Sequence, residues 1–378
     1  MTATAVITAT TATTATSATA GPAAVAAPGA ATARHQAVPA AGPAWHTVQA
    51  GKLSSSAFLF EVATAGADAA WAVGNQTVGG VTSGVILHWD GTAWRRQPTP
   101  GVPATGVWHA VTAASAHDVW AYGWSQTRET LAHYDGRSWT AVALPELPPE
   151  QIYGFAKIAA VPGRLWVVND TSIATYSGGT WQRTALGSGV FITSIEAHSA
   201  TDAWAVGESG DVPGGRSVAL HWNGHAWKDV SPAGSKLILS DVYRESARSV
   251  WAAAVTQADE DNPPQTRVLH WNGRTWKDVT GPLTGLVSGE ISGDGRGTVW
   301  VSGDPAGFEG PAVYWRHRGG VWTSAVGDTV PGGVTQSYTV QDLAPIGRTG
   351  RFWSVGSYEL LVGEATSATY ELIQRSPR

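Results

Sequence analysis

A tryptophan followed by small or β-branched residues returns at Trp71, Trp120, Trp166, Trp204, Trp251, Trp300 and Trp353, in steps of 38 to 53 residues. A second signature follows six of them: HWDGTAW (88–94), HYDGRSW (133–139), TYSGGTW (175–181), HWNGHAW (221–227), HWNGRTW (270–276) and the longer YWRHRGGVW (314–322). A period of this size means one supersecondary unit stacked on copies of itself. Each unit reads as four short strands. In the first, FLFEVAT (58–64) is an apolar strand, WAVG (71–74) opens the second, VILHW (85–89) is the third, and a fourth begins at Trp94. Asp-Gly or Asn-Gly at 90–91, 135–136, 223–224 and 272–273 predicts a two-residue type I′ turn between the last two strands. Four strands in about 40–50 residues make a propeller blade. The expectation is an all-β, seven-bladed β-propeller of four-stranded antiparallel blades.

The ends of the repeat predict how the ring closes. The seventh unit has an inner strand near Tyr338–Ala344, a second strand at Trp353 and a third ending in ATYEL (368–372), but no fourth. Trp45-His46-Thr47-Val48 has the same Trp-x-x-Val form as the fourth strand Trp227-Lys228-Asp229-Val230. The N-terminal segment is therefore expected to complete the last blade, leaving no open sheet edge. Second, third and fourth strands account for 18 of the 20 Trp, and Trp108 and Trp124 remain over.

Composition agrees with a turn-rich β protein. Charged residues are 14%, against about 25% in ordinary soluble domains, while Gly reaches 45 and Trp 20. A net charge of −5 carries no basic footprint, so nucleic acid is not an expected partner. With no Cys there is neither a disulfide framework nor a thiolate site. Residues 1–43 are a different material, Ala- and Thr-rich, with the first charge at Arg34 and a small-x-small ending in AVAAPGAATA (24–33). They read as a disordered segment, an export signal or its remnant, which predicts a secreted protein. Residues 44–378 form the propeller. Within them no run of about 18 apolar residues predicts a membrane span, and a monomer is expected.

The aromatic, tight Asp/Asn-Gly turn and Trp of the outer hairpin, recurring over residues 44–378, resemble the kelch/galactose-oxidase-type and BNR-type propellers of secreted bacterial proteins. The resemblance implies the fold. Galactose-oxidase-like chemistry requires a Cys that the chain lacks, and the Gly-Gly doublet of kelch repeats is missing from most blades. No Asp-x-Asp-x-Asp-Gly loop, HExxH, P-loop or GxSxG is present, so no catalytic residue, metal or cofactor is expected.

Candidate site residues are those the repeat does not require. The recurring Trp read as packing between blades, and His88, His133, His221 and His270 as recurring blade hydrogen bonds. Turns joining strands one to two and three to four are short, so that face reads as bland. Loops 74–84, 123–130, 207–217, 254–266, 302–311 and 356–368 vary and share the opposite face, where binding usually resides. Trp108, Trp124 and Tyr153 are the expected aromatic platform there. The tenth residue before each second-strand Trp is Glu61, Ala110, Ala156, Ser194, Asp241 and Glu290, with Asp342 one residue off. Inner strands line the channel, so Glu61, Asp241, Glu290 and Asp342 are expected at its mouth. The expected function is recognition of a glycan, another extracellular surface ligand or a protein partner. The alternatives are a carboxylate-based lyase or hydrolase at the channel mouth, and a scaffold subunit of a secreted assembly.

Overall fold

The computed structural model describes residues 44–377 except 50–52, 55, 126–127, 146–155, 170–171, 188, 211–214, 258–263, 284–285, 287–288, 304–309, 330–334 and 363–364. The proposed export segment, Tyr153 and parts of the variable loops lie outside the described residues. Strands β1 (His46–Thr47) to β28 (Ala365–Arg375) form seven four-stranded antiparallel sheets, and the described residues contain no helix. Blade 1 is β2 (Ala57–Thr64), β3 (Ala70–Val78), β4 (Val81–Trp89) and β5 (Trp94–Arg96), hydrogen-bonded in that order. Blades 2 to 6 repeat the plan from inner strands β6 (Val107–Ser115), β10 (Lys157–Val161), β14 (Val190–Ser199), β18 (Ile238–Ser246) and β22 (Glu290–Gly293).

Blade 7 closes the ring as the missing strand predicts. β1 pairs with β28, which follows β27 (Phe352–Val362) and β26 (Thr335–Pro345), with His46 opposite Arg375. Trp45 is fully buried and stacks on Tyr314 of blade 6 at 4.0 Å. The closing strand thus brings both a ladder and a ring into the core.

The core lies in seven apolar clusters between successive blades. A fourth-strand Trp of one blade meets the second-strand Trp of the blade before it: Trp94 on Trp353 at 5.2 Å, Trp276 on Trp204 at 6.1 Å, Trp45 on Trp300 at 5.1 Å. These edge-on pairs add to the area each ring buries and fix the angle between blades. The histidine series is structural too. His133 and His221 hydrogen-bond Asp118 and Asp202 at 3.0 Å, and His270 bonds Ser249 at 2.8 Å.

The outer hairpins correct one expectation. The loop between Trp89 and Trp94 has four residues, and only Gly91 has positive φ. Asp90 stays in the ordinary region because its carboxylate accepts from the backbone N–H of Thr92 and Ala93, at 2.9 Å each. The side chain does the work that a second positive φ would do in a type I′ turn. Two-residue turns with positive φ at both positions occur instead at Gly79-Gly80, Gly178-Gly179 and Gly319-Gly320.

Candidate functional site

Each inner strand meets its second strand with the same geometry near the axis. Register shifts after Leu59, Trp108, Ile192, Leu239 and Val340 insert one extra residue before Glu61, Ala110, Ser194, Asp241 and Asp342. Such a bulge bends a strand and re-aims the next side chain. In blades 1, 4 and 7 glycine stands opposite, and a Cβ on Gly74, Gly207 or Gly356 would fall 1.8–1.9 Å from an inner-strand carbonyl oxygen, whereas blade 5 makes the same shift with Ala254 there. The Gly three residues after the second-strand Trp therefore exists for close approach.

Register defines the ring of residues that share this position. Opposite the residue two places after each second-strand Trp stand Glu61, Ala110, Lys157, Ser194, Asp241, Glu290 and Asp342. The four predicted carboxylates thus share one layer of the fold, and a lysine shares it with them. Counting ten back from Trp166 gives Ala156, because blade 3 passes from β10 to β11 (Arg164–Asn169) through Pro162-Gly163 alone, whereas blades 2, 4 and 5 add a second register shift beside an equally short turn. A signal existed: Lys157 is the single lysine between Lys52 and Lys228, and it heads the apolar run IAAV. A lysine there needs carboxylates around it.

Several acids also tie blades together. Asp342 accepts from the backbone N–H of Val62 in blade 1 at 2.8 Å. Asp241 accepts from Ile291 N–H of blade 6 at 2.8 Å and from the Ser194 hydroxyl of blade 4 at 2.6 Å. One level further along the strands, Glu196 accepts from Arg244 N–H of blade 5. Among the described residues Glu290 makes no such bond between blades.

All the ring charges feel one another. Burial raises the Glu61 carboxyl to about 7, with Lys157 pulling it down and Asp241 pushing it up. Burial also lifts Glu290 and Asp342 well above the usual carboxylate range, and Asp241 less so. Burial works against the Lys157 charge, yet Glu61, Glu290, Asp342 and Asp241 outweigh it and hold the ammonium above its ordinary range. Glu196 is pushed up to about 8, first by burial. From the ring an axial cavity of about 290 Å³ runs toward the short-turn face, walled by Thr112, Glu196 and Tyr243 among others. Among the described residues no three His, Asp or Glu side chains converge as a metal site.

The aromatic side is only partly as expected. Trp108 is 2% exposed, locked between blades 1 and 2 against Gly84, so its ring offers no face to a ligand. Trp124 is half-buried and donates its indole N–H to His109, with the two rings 5° from parallel. Phe60 packs on the other side of His109 at 5.0 Å. Burial and the nearby Lys157 lower His109 to about 4, so it is neutral at ordinary pH and accepts that bond. His109 and Phe60 are the inserted bulge residues of blades 2 and 1, which sequence spacing does not reveal. Blade 2's aromatic pair thus sits beside the ring lysine.

No family model matches the chain, and no curated protein does. Solved structures do. YCF48 from Cyanidioschyzon merolae superposes with a TM-score of 0.54 at 15% identity, over 88% of this chain and 98% of its own. The GH74 enzyme of Niastella koreensis gives 0.56 at 13% identity, over 85% of this chain and 55% of that one. The extracellular domain of a hybrid two-component system from B. thetaiotaomicron gives 0.54 at 12%, over 89% and 40%. At these identities the likeness shows the fold, a β-propeller, and the activity must be argued from the site.

Proposed function

We propose that this chain is an extracellular recognition propeller that binds a glycan or similar polyhydroxylated surface ligand at the variable-loop mouth of its axial ring. The carrying observation is the ring itself: seven equivalent positions hold three kinds of charged side chain, with the Trp124–His109–Phe60 stack alongside. Packing alone asks for the same residue in every blade, as the Trp layer shows. Carboxylates accept hydrogen bonds from hydroxyls, Lys157 donates, and a half-buried aromatic edge takes an apolar sugar face. Export is supported by the Ala/Thr-rich residues 1–43.

A second reading rests on Glu61. A carboxyl held at about 7 beside other carboxylates has the proton affinity of a general acid, which fits a carboxylate-based hydrolase or lyase. Calorimetric screening of soluble glycans and cell-wall fragments separates the two. Binding without turnover, weakened in Trp124→Ala with the melting temperature retained, supports recognition. Equal affinity in Trp124→Ala removes the ligand from the aromatic side. A released product that Glu61→Gln abolishes establishes the enzyme.

A further inference from the structure

The turns on the face opposite the variable loops are all short, but their charges differ from blade to blade. In blades 2 and 4 the third-strand residue opposite the second-strand Trp is a His, and it meets Asp118 or Asp202 two residues before that Trp. In blade 6 that residue is Arg316, on β24 (Val313–Arg318), and the acid's place is taken by Thr298. The outer hairpin of blade 1 supplies a second carboxylate, Asp90, paired with Arg95 at 2.9 Å. Blade 6 turns there through Gly319-Gly320. It has therefore lost both carboxylates at this end while gaining cations.

Two residues beyond Arg316, and so on the same face of β24, lies Arg318. Arg296, in the turn after β22, is the third. Together they line a groove of about 230 Å³ whose other wall includes Thr349 and Gly350 of blade 7. Arg296 spans the blade boundary, donating from Nη1 to the Arg348 carbonyl at 3.1 Å. Arg316 is steadied 5.8 Å over the Trp300 ring. Among the described residues one acid lines the groove, Asp294, and its Oδ1 is engaged by the N–H groups of Arg296 and Thr298 at 2.8 and 3.1 Å. Among the described residues none of the three guanidiniums is in an ion pair.

We propose that this groove binds an oxyanion of the phosphate or sulfate class. Guanidinium groups match such oxygens in bidentate geometry, and three of them line one groove in which the single carboxylate among the described residues is internally bonded. Trp300 is 3% exposed and cannot stack on a ligand, so recognition rests on the oxyanion and not on its carrier. The site is on the opposite face from the proposed glycan site and independent of it.

Calorimetric titration at constant ionic strength, about 0.15 M to limit exposed-charge effects, tests this. The probes are inorganic phosphate, sulfate, glucose 6-phosphate and, as a control, chloride. Phosphate and sulfate should bind, and Arg318→Gln and Arg296→Gln should each weaken them about tenfold, the scale of one lost charge-assisted bond. Trp124→Ala should leave them unchanged. Similar affinity for inorganic phosphate and glucose 6-phosphate is the expected result, while tighter binding of the ester would add contacts from its carrier. Absence of heat with all probes, or undiminished affinity in both arginine variants with melting temperatures retained, would overturn the proposal.

Discussion

Two layers of this molecule stand at fixed positions in all seven blades and behave in opposite ways. The second-strand layer holds Trp every time, from Trp71 to Trp353. The axial ring, two register positions away, holds Glu, Ala, Lys, Ser, Asp, Glu and Asp. The first layer repeats because each blade must bury the same face against its neighbour. The second differs from blade to blade, and four of its residues, Glu61, Ser194, Asp241 and Asp342, line the axial cavity. Its residues answer to each other's charge, with one lysine set among four carboxylates. Repetition marks packing, and the ring departs from repetition with charge.

The largest expected effect concerns the strand that joins the two ends. Deleting residues 1–40 should leave the melting temperature nearly unchanged, whereas deleting 1–50 removes the buried Trp45 and the β1 ladder and should prevent folding or lower the melting temperature sharply. Equal stability of the two truncations, by thermal denaturation, would break the closure. Next, Trp94→Ala should cost about 3–5 kcal/mol, as for large buried aromatics, while the half-buried Trp124→Ala should cost less than about 1 kcal/mol. Urea titrations showing equal damage would erase the distinction between repeated and surplus Trp.

A smaller effect sharpens the contrast through pH. Between about pH 7.5 and 8.5 the carboxylates and nearly all the histidines of an unfolded chain have lost their protons. Folded Glu196, held at about 8, and Glu61, held at about 7, still keep part of theirs. The folded chain then binds more protons than the unfolded one, so stability falls as pH rises through this window. Chemical denaturation at the two ends should show the fall, and Glu196→Gln should flatten it. Stability constant or rising in the wild type would mean that the axial acids titrate as exposed ones do.

The fold was legible because its determinants repeat. Seven Trp, six outer-hairpin signatures and one displaced fourth strand specify blade number and closure from spacing alone. The site was legible only where the spacing stayed constant. Glu61, Asp241 and Glu290 follow from a fixed count, and Asp342 from the same count less one. Lys157 escaped because the inner hairpin of blade 3 is one residue shorter than the count assumes, and His109 because a bulge inserts it between two positions of the ladder. Trp108 misled for the reverse reason. It lies outside the repeated signature yet fills a gap beside Gly84, a match between neighbouring blades that linear spacing does not encode. The basic groove was hidden because its three arginines come from two segments and its missing carboxylates are visible only when blades are superposed by register.

The most direct test of the claim that the non-repeated ring is where the ligand is read uses Glu290→Gln, because Glu290 sits in the ring without pinning one blade to the next. Affinity for the best glycan and melting temperature should be measured on the same preparation. The account predicts an affinity loss of about tenfold, the scale of one lost charge-assisted hydrogen bond, with the melting temperature retained. Unchanged affinity accompanied by a lowered melting temperature would contradict it, and would make the ring a structural layer like the tryptophans.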